Sequence, residues 1–187
     1  MARRRETQKR PVAVQELVDS ALVLLAYGMR SSGVAIALDI APDLPPVMCD
    51  ADQVQQVLSN LVINARQALE TRPPPRHVRL MARADADWMR IDVADNGPGI
   101  SESIRSRIFD PFFTTKLVGA GTGVGLGVSR GIAEAHGGTF TLAILAAVRL
   151  GIHLSACSVL PGHLYCFGAA RLAMTAASTI RVIVVML

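Results

Sequence analysis

The 187-residue chain is poor in aromatic residues and cysteine, although it is long enough for one domain with a substantial core. Phe, Trp and Tyr make up 4% of the residues and 51% are hydrophobic, so the core must be mainly aliphatic. The three cysteines are Cys49, Cys157 and Cys166. Their odd number, without paired metal-ligand spacing, indicates free thiols in a reducing compartment. The first arginines lead into polar residues rather than an apolar segment, so we expect no secretory signal and a cytoplasmic location.

The part of the chain after Glu134 contains no acidic residue, and the net charge of +4 comes from the two ends. Basic residues crowd the start at Arg3, Arg4, Arg5, Lys9 and Arg10. A basic end can contact nucleic acid or an anionic membrane surface, but a solvated terminus has the same composition. We interpret residues 1–11 as a disordered basic lead and expect no nucleic-acid partner.

Apolar side chains at helical spacing predict an amphipathic helix from Val14 to about Met29. Residues 34–40 then predict a strand. A second helix follows Asp50, which forms a capping box with Gln53, and its wide apolar stripe runs to Leu69. Beside that stripe, about 100° per residue aligns five uncharged amides, Gln53, Gln56, Asn60, Asn64 and Gln67. A solvated polar margin explains most such rows, but amides that meet a ligand or a metal lie in the same place.

Two neighbouring segments, His77–Ala84 and Trp88–Asp95, alternate between apolar and polar residues. This pattern predicts an antiparallel hairpin with one buried face. The side chains expected on that face are Val78, Leu80, Ala82, Met89, Ile91 and Val93. Asp95 then stands at the end of the second strand, and a further helix is predicted from about Val128 to Ala135.

The residues after this hairpin have the chemistry of a site for a purine with a polyphosphate tail. Asp95 is a fixed acceptor suited to an exocyclic amine, and Gly97 and Gly99 allow a sharp turn close to a flat ligand. An ordinary turn after a strand has the same residues. Alternating glycines from Gly119 to Gly127 leave backbone N–H groups to face phosphate oxygens at a helix start, although a flexible linker is also glycine-rich.

Three further residue types complete this prediction. Asn64 offers the neutral hard oxygen that Mg²⁺ prefers, with phosphates and water filling the other positions. Lys116 and the hydroxyls of Thr114 and Thr115 stand just before the glycine loop, where a phosphate tail would extend. A surface lysine would occupy the same position.

Residues 12 to about 140 resemble the catalytic ATP-binding domain of bacterial two-component sensor histidine kinases, in the superfamily that includes gyrase, Hsp90 and MutL. Residues 56–65 match the N box and 95–99 the first glycine box. Residues 109–116 match the F box and 121–126 the second glycine box, and His136-Gly137-Gly138 matches the usual helix end. Four ordered boxes make the resemblance highly specific. It implies an α+β two-layer sandwich, with a mixed, largely antiparallel sheet and helices on one face.

The resemblance also implies roles for individual residues. Asn64 is expected to bind Mg²⁺, Asp95 to read adenine, and residues 109–116 to form part of a mobile lid over ATP. The expected ATP-binding residues are Asn64, Asp95, Gly97, Gly99, Ile100, Phe109, Thr114, Thr115, Lys116, Gly119, Gly121, Thr122, Gly123, Val124, Gly125 and Leu126. Asn60 and Lys116 are the expected catalytic residues. Asn60 stands where hydrolysing relatives carry a glutamate, and an amide cannot accept a proton from water, so the site favours phosphoryl transfer.

The expected phosphoacceptor is missing from this sequence. In the kinases an acidic residue follows the acceptor histidine, and no acidic residue follows His77, His136, His153 or His163. We therefore expect transfer of the γ-phosphoryl group to a histidine on a separate dimerisation domain, with a response regulator downstream. The alternative is a non-catalytic ATP-binding module or a truncated kinase remnant.

The segment 143–187 departs from the resemblance, since it carries no further Gly-x-Gly-Thr box. We expect 12–142 to be the ATP-binding domain and 143–187 an aberrant apolar tail, produced by a frameshift near residue 142. Leu150–Ala170 is uncharged and long enough for a membrane span, but its histidines, proline and glycine weaken that interpretation. Membrane association by the tail is therefore not expected, and parts of it are expected to substitute poorly for missing strands.

Overall fold

The structure, a computed structural model, describes residues 8–85, 88–116, 121–145 and 177–186. Three α-helices form one layer: α1 (Val14–Ser31), α2 (Ala51–Leu69) and α3 (Gly125–Ala135). The strands are β1 (Arg10–Val12), β2 (Val34–Ile40), β3 (Val47–Cys49), β4 (Arg76–Asp85), β5 (Trp88–Asp95), β6 (Thr139–Leu145) and β7 (Ala177–Met186). One short 3₁₀ helix, Glu102–Ile104, follows β5.

The second layer is a five-stranded sheet in the order β2-β4-β5-β7-β6. β2 runs parallel to β4, and the other neighbouring strands are antiparallel. The helices contact this sheet from β2 across to β6. The predicted α+β sandwich with a mixed, largely antiparallel sheet is therefore confirmed.

The hairpin β4–β5 supplies the central part of the core. Leu80 pairs with Val93 and Ala82 with Ile91, and these side chains are at most 2% exposed. Because side chains alternate between the faces of a strand, this register turns the apolar side chains of both strands toward the helices. The predicted hairpin and its buried face are thus confirmed, and Asp95 ends β5.

Helix α2 lies between α1, α3 and the sheet, and its start and buried stripe agree with the prediction. Asp50 is the N-cap, and its carboxylate accepts the backbone N–H of Gln53 at 3.2 Å. The Gln53 side chain also donates to Asp50 at 3.3 Å. His136 also stabilises this helix start, because its Nε2 accepts a hydrogen bond from the backbone N–H of Asp50 at 3.0 Å. Its Nδ1 lies 2.8 Å from the carbonyl of Ile132, so the end of α3 is tied to the start of α2.

Several boundaries differ from the sequence prediction. α1 continues to Ser31, because the Ser32 hydroxyl and backbone N–H both donate to Gly28 O near the helix end. α3 begins at Gly125 rather than Val128, so the glycine loop runs directly into the helix. β1 and β3 pair as a two-stranded sheet that the sequence did not indicate, since three-residue strands are too short for a recognisable period. The expected lead 1–11 thus includes Arg10 and Pro11, which lie in β1.

The segment 143–187 contributes a strand to the main sheet. β7 lies between β5 and β6, with Val182 opposite Ile91 on one side and Phe140 on the other. Most of the apolar stretch Leu150–Ala170 and the rest of 146–176 lie outside the described residues. The domain limits and the frameshift remain predictions. Within the described ranges, no helix combines the length and apolar character needed to cross a bilayer.

Candidate functional site

A cleft of about 560 Å³ lies between α2, the end of β5, the segment 113–116 and the start of α3. It brings together most of the residues expected from the sequence. Those that line it are Asn60, Asn64, Asp95, Gly99, Ile100, Thr114, Thr115, Lys116, Gly121, Thr122, Gly123, Gly125 and Leu126. Residues separated by more than sixty positions in the chain thus share one concave surface, which is the usual shape of a small-molecule site.

Asp95 lies at one end of the cleft and is 5% exposed. One of its carboxylate oxygens, Oδ1, accepts the backbone N–H of Gly97 at 2.8 Å. A Cβ at residue 97 would lie 2.6 Å from that oxygen and 3.4 Å from Ala68 Cβ, so only glycine allows the turn to close on the carboxylate. Gly97 itself does not line the cleft; it shapes the turn that presents Asp95.

The amide row of α2 divides between two roles. Asn60, Asn64 and Gln67 line the cleft, whereas Gln53 belongs to the helix cap and Gln56 is exposed. Asn60 Nδ2 lies 3.4 Å from Gly125 O and 3.3 Å from Ser129 Oγ, so this amide donates toward the first turn of α3. Its position ties the middle of α2 to the glycine loop.

Lys116 reaches across the cleft to the same helix. Its ammonium contacts Gln67 Oε1 and lies 3.4 Å from Asn64 Oδ1. Desolvation lowers the pKa of Lys116, while the nearby carboxylate of Glu70 acts in the opposite direction. Asn64 therefore presents its oxygen to a cation in this structure, which is the chemistry that a Mg²⁺ ligand requires. Among the described residues, no group of three or more His, Cys, Asp or Glu could hold a metal ion.

The glycine loop packs closely on the segment before it. Gly123 has a φ of +65°, and a Cβ there would lie 2.4 Å from the carbonyl carbon of Phe112. The backbone N–H of Phe112 donates to Gly123 O at 3.0 Å, and Phe112 itself has a φ of +66°. This contact holds the F-box segment against the start of α3. The N-terminal end of α3 carries the positive end of the helix dipole.

Besides Gly97, three expected residues are not on the cleft wall or cannot be placed. Phe109 packs edge-on against Phe140, with ring centroids 5.7 Å apart, and its carbonyl lies 3.2 Å from a Cβ built at Gly127. Val124 is the N-cap of α3 and is absent from the lining. Gly119 lies outside the described residues. Phe109 therefore packs against β6 and α3 rather than lining the cleft.

The sequence analysis missed an apolar wall of the cleft. The apolar residues concerned are Ile63, Ala65, Ala68, Pro98, Ile104, Ile108 and Phe113, and Thr71 also lines the cleft. A signal was present, because Ile100, Ile104 and Ile108 recur every fourth residue, a spacing that would place them on one face of a helix. The structure forms the short 3₁₀ helix Glu102–Ile104 and turns there instead. Together the apolar residues give the cleft that Asp95 lines an apolar surface suited to a flat ring.

The cysteines have no part in the cleft as far as it is described. Cys49 is a free thiol in β3 and is fully buried, and this burial raises its pKa to about 11. A buried neutral thiol packs as a small apolar side chain. Cys157 and Cys166 lie outside the described residues.

Comparison with known proteins shows the class to which this sandwich and its cleft belong, the ATP-binding domains of sensor kinases. A family model described as "Histidine kinase-, DNA gyrase B-, and HSP90-like ATPase" matches residues 49–158, and the chain belongs to this family. The two-component sensor PprA of Pseudomonas aeruginosa is 41% identical over 129 residues, which are 67% of this chain and 14% of that protein. The chain spans between 14% and 24% of the length of this and two further curated sensor relatives.

Solved structures show the same fold. Full-length ShkA in complex with AMPPNP matches 97% of this chain and 32% of its own, with a TM-score of 0.70 and 23% identity. The histidine kinase ThkA in complex with the response regulator TrrA matches 95% of this chain and 42% of its own, with a TM-score of 0.63 and 21% identity. At these identities the likeness concerns the fold.

Proposed function

We propose that this chain binds Mg·ATP in the cleft and acts as the catalytic half of a sensor histidine kinase. The observation that carries the proposal is the meeting of three different groups on one surface: a buried carboxylate, an amide oxygen facing a cation, and a glycine loop that opens a helix. Each group suits a different part of a magnesium nucleotide. The complex of ShkA with AMPPNP supports a nucleotide in this fold.

The adenine ring is assigned to the apolar end of the cleft. There Asp95 accepts a hydrogen bond from the exocyclic amine, and Ile100, Ile104 and Ile108, which also line the cleft, contact the ring. The triphosphate extends toward Thr114, Thr115 and Lys116, where charge-assisted bonds from the ammonium and N–H groups of the glycine loop favour an anion.

Magnesium is assigned to Asn64. Its side-chain oxygen already lies beside the Lys116 ammonium, so this oxygen is accessible to a cation. Phosphates would supply further oxygen ligands to the metal. Bound Mg²⁺ would neutralise phosphate charge, which is its usual contribution to phosphoryl transfer.

Transfer rather than hydrolysis is supported by Asn60. The cleft has an amide at this position, directed toward Gly125 O and Ser129 Oγ, and an amide cannot accept the proton of an attacking water. The acceptor is then a protein histidine presented from outside this domain. His136 is buried with both ring nitrogens engaged, so it is unsuited to that role.

The partners that follow are a histidine-bearing dimerisation domain and a downstream response regulator. The printed name of PprA, a two-component sensor, and the ThkA–TrrA complex support this assignment. Residues 12–142, completed by β7, would form the catalytic domain. A cytoplasmic location remains a prediction from the cysteines.

The test of the binding site is the nucleotide affinity of Asp95→Asn. The carboxylate has two acceptor oxygens, of which one accepts Gly97 N–H, whereas asparagine has only one. We expect affinity for ADP to fall by about tenfold or more, since hydrogen bonds to charged groups contribute roughly 1.5–3 kcal/mol. Calorimetric titration measures it, and Asp19→Asn on α1, away from the cleft, is the control. Unchanged affinity in Asp95→Asn would remove the site assignment.

The test of transfer uses ATP labelled at the γ-phosphate and a supplied histidine-bearing domain. Label on that domain supports the kinase. Binding without transfer supports the second candidate, an ATP-binding module without kinase activity. Steady phosphate release would contradict the role given to Asn60.

A further inference from the structure

The turn that follows Asp95 is fastened to the sheet by the side chain of Asn96. Its Oδ1 accepts the backbone N–H of His77 at 2.8 Å, and its Nδ2 donates to the carbonyl of Pro75 at 2.9 Å. The backbone N–H of Asn96 also donates to the carbonyl of His77 at 3.2 Å. Asn96 and His77 therefore exchange two hydrogen bonds, one through the main chain and one through a side chain.

This exchange takes the place of one more step of the β4–β5 ladder, whose last main-chain pair is Val78 with Asp95. In a regular antiparallel ladder, a hydrogen-bonded pair exchanges both bonds through the backbone. Here the side-chain oxygen of Asn96 accepts the hydrogen bond from the N–H of His77. The backbone can therefore leave the sheet while that donor keeps a hydrogen-bond acceptor. The chain then turns at Gly97, whose N–H donates to Asp95 Oδ1 at 2.8 Å. Residue 96 thus lies between the last pair of the ladder and the turn that closes on the Asp95 carboxylate, and its hydrogen bonds fix the backbone there.

We propose that Asn96 is a positioning residue for base recognition: it holds the turn 95–97 so that Asp95 meets an adenine amine and rejects a guanine carbonyl. This inference rests on the proposed nucleotide function and adds to it a residue that does not line the cleft. The amide suits the position because it both accepts and donates. An ionised aspartate there accepts only, and alanine does neither.

The experiment compares Asn96→Ala and Asn96→Asp in the full chain with a matched control. Gln55→Ala is the control, because Gln55 Nε2 also donates to a backbone carbonyl, that of Ser20 at 3.3 Å, but does not line the cleft. Affinities for ADP and GDP are measured by calorimetric titration with Mg²⁺, and thermal unfolding shows the folded fraction.

We expect Asn96→Ala to weaken ADP binding about tenfold, equivalent to about 1.4 kcal/mol, and to reduce the preference for ADP over GDP. Asn96→Asp keeps the bond from His77 and should fall between alanine and wild type. Gln55→Ala should retain wild-type affinity and preference. If Asn96→Ala does not fold, the change in base preference of Asn96→Asp decides.

Two results would overturn the inference. One is wild-type ADP affinity in the folded Asn96 variants. The other is an equal loss of ADP and GDP affinity, which a general loss of stability would cause. Asp95→Asn separates this failure from that of the proposed function: weakened ADP binding in Asp95→Asn alone refutes only the role of Asn96, whereas unchanged binding in Asp95→Asn refutes the site itself.

Discussion

The two ends of the cleft are built in different ways. The end formed by the buried Asp95 and the turn 96–99 follows the central strand β5, and side-chain and backbone hydrogen bonds hold it to Pro75 and to His77 of β4. The exposed end, residues 112–116, lies on the surface, with Phe112 78% exposed, and meets the rest of the cleft through Gly123, Asn64 and Gln67. The sheet therefore shapes the end proposed to bind the base before any ligand arrives, whereas loop contacts shape the end proposed to bind the phosphates.

The largest effect is expected from breaking the scaffold beneath the cleft. Leu61 of α2 is 1% exposed in the core, and Leu61→Ala removes buried methyl groups and leaves a cavity. We expect the free energy of unfolding to fall by about 2–5 kcal/mol. Urea unfolding measures it. Val23→Ala on α1, where Val23 is 76% exposed, should change stability by less than about 0.5 kcal/mol. Equal losses in both variants would contradict the core described above.

A smaller effect, confined to the exposed end, is expected from Gly123→Ala. The added Cβ would meet the Phe112 carbonyl at a backbone φ of +65°, so the contact between the F-box segment and the glycine loop must open. We expect ATP affinity to fall about tenfold, or about 1.4 kcal/mol, while AMP affinity changes little. Titration with both nucleotides measures the difference.

Gly131→Ala is the matched control for this substitution. Gly131 lies inside α3 with nothing within 4 Å of an added Cβ, so alanine should raise stability by roughly 0.5–1 kcal/mol and leave nucleotide affinity unchanged. If Gly123→Ala weakened AMP and ATP equally, the two ends of the cleft would not be separable.

The smallest effect is expected at the edge of the sheet, in the ion pairs of Asp39. Arg83 lies 2.5 Å and Arg79 2.7 Å from its carboxylate oxygens, and the hydrogen bond from Arg83 holds the pKa of Asp39 below its usual 3.8. All three side chains are a third or more exposed, so Asp39→Asn should cost at most about 1 kcal/mol at neutral pH.

The pH dependence of Asp39 has a definite sign. A carboxyl whose pKa is lowered on folding stabilises the protein above its unfolded pKa and loses that contribution as pH falls through the lowered value. The stabilities of wild type and Asp39→Asn should therefore converge in acid. Urea unfolding at neutral pH and below the usual pKa of 3.8 measures this. A difference that grows in acid would contradict the assigned pairing.

Much of the fold could be predicted because its signals are local. The capping box at Asp50, the helical stripe of α2 and the alternation in β4 and β5 each depend on neighbours a few residues apart. The pairing of β1 with β3 could not be predicted, since neither strand has a period of its own. Nor could the place of β7 between β5 and β6, because strand order depends on which faces the whole chain buries.

The sequence by itself determined the chemical inventory: a carboxylate after a strand, an amide row on a helix, a lysine and an alternating glycine loop. Only the tertiary structure decided which of these residues meet. Packing of α2 against α3 directs Asn60 to Gly125, and Lys116 reaches Asn64 and Gln67 across 52 and 49 positions. Asn96 acquires its partners in the same way, since Pro75 and His77 are brought to it by the hairpin. Such contacts form when apolar faces that are distant in sequence are buried against one another. A local sequence pattern carries no information on which distant faces will meet.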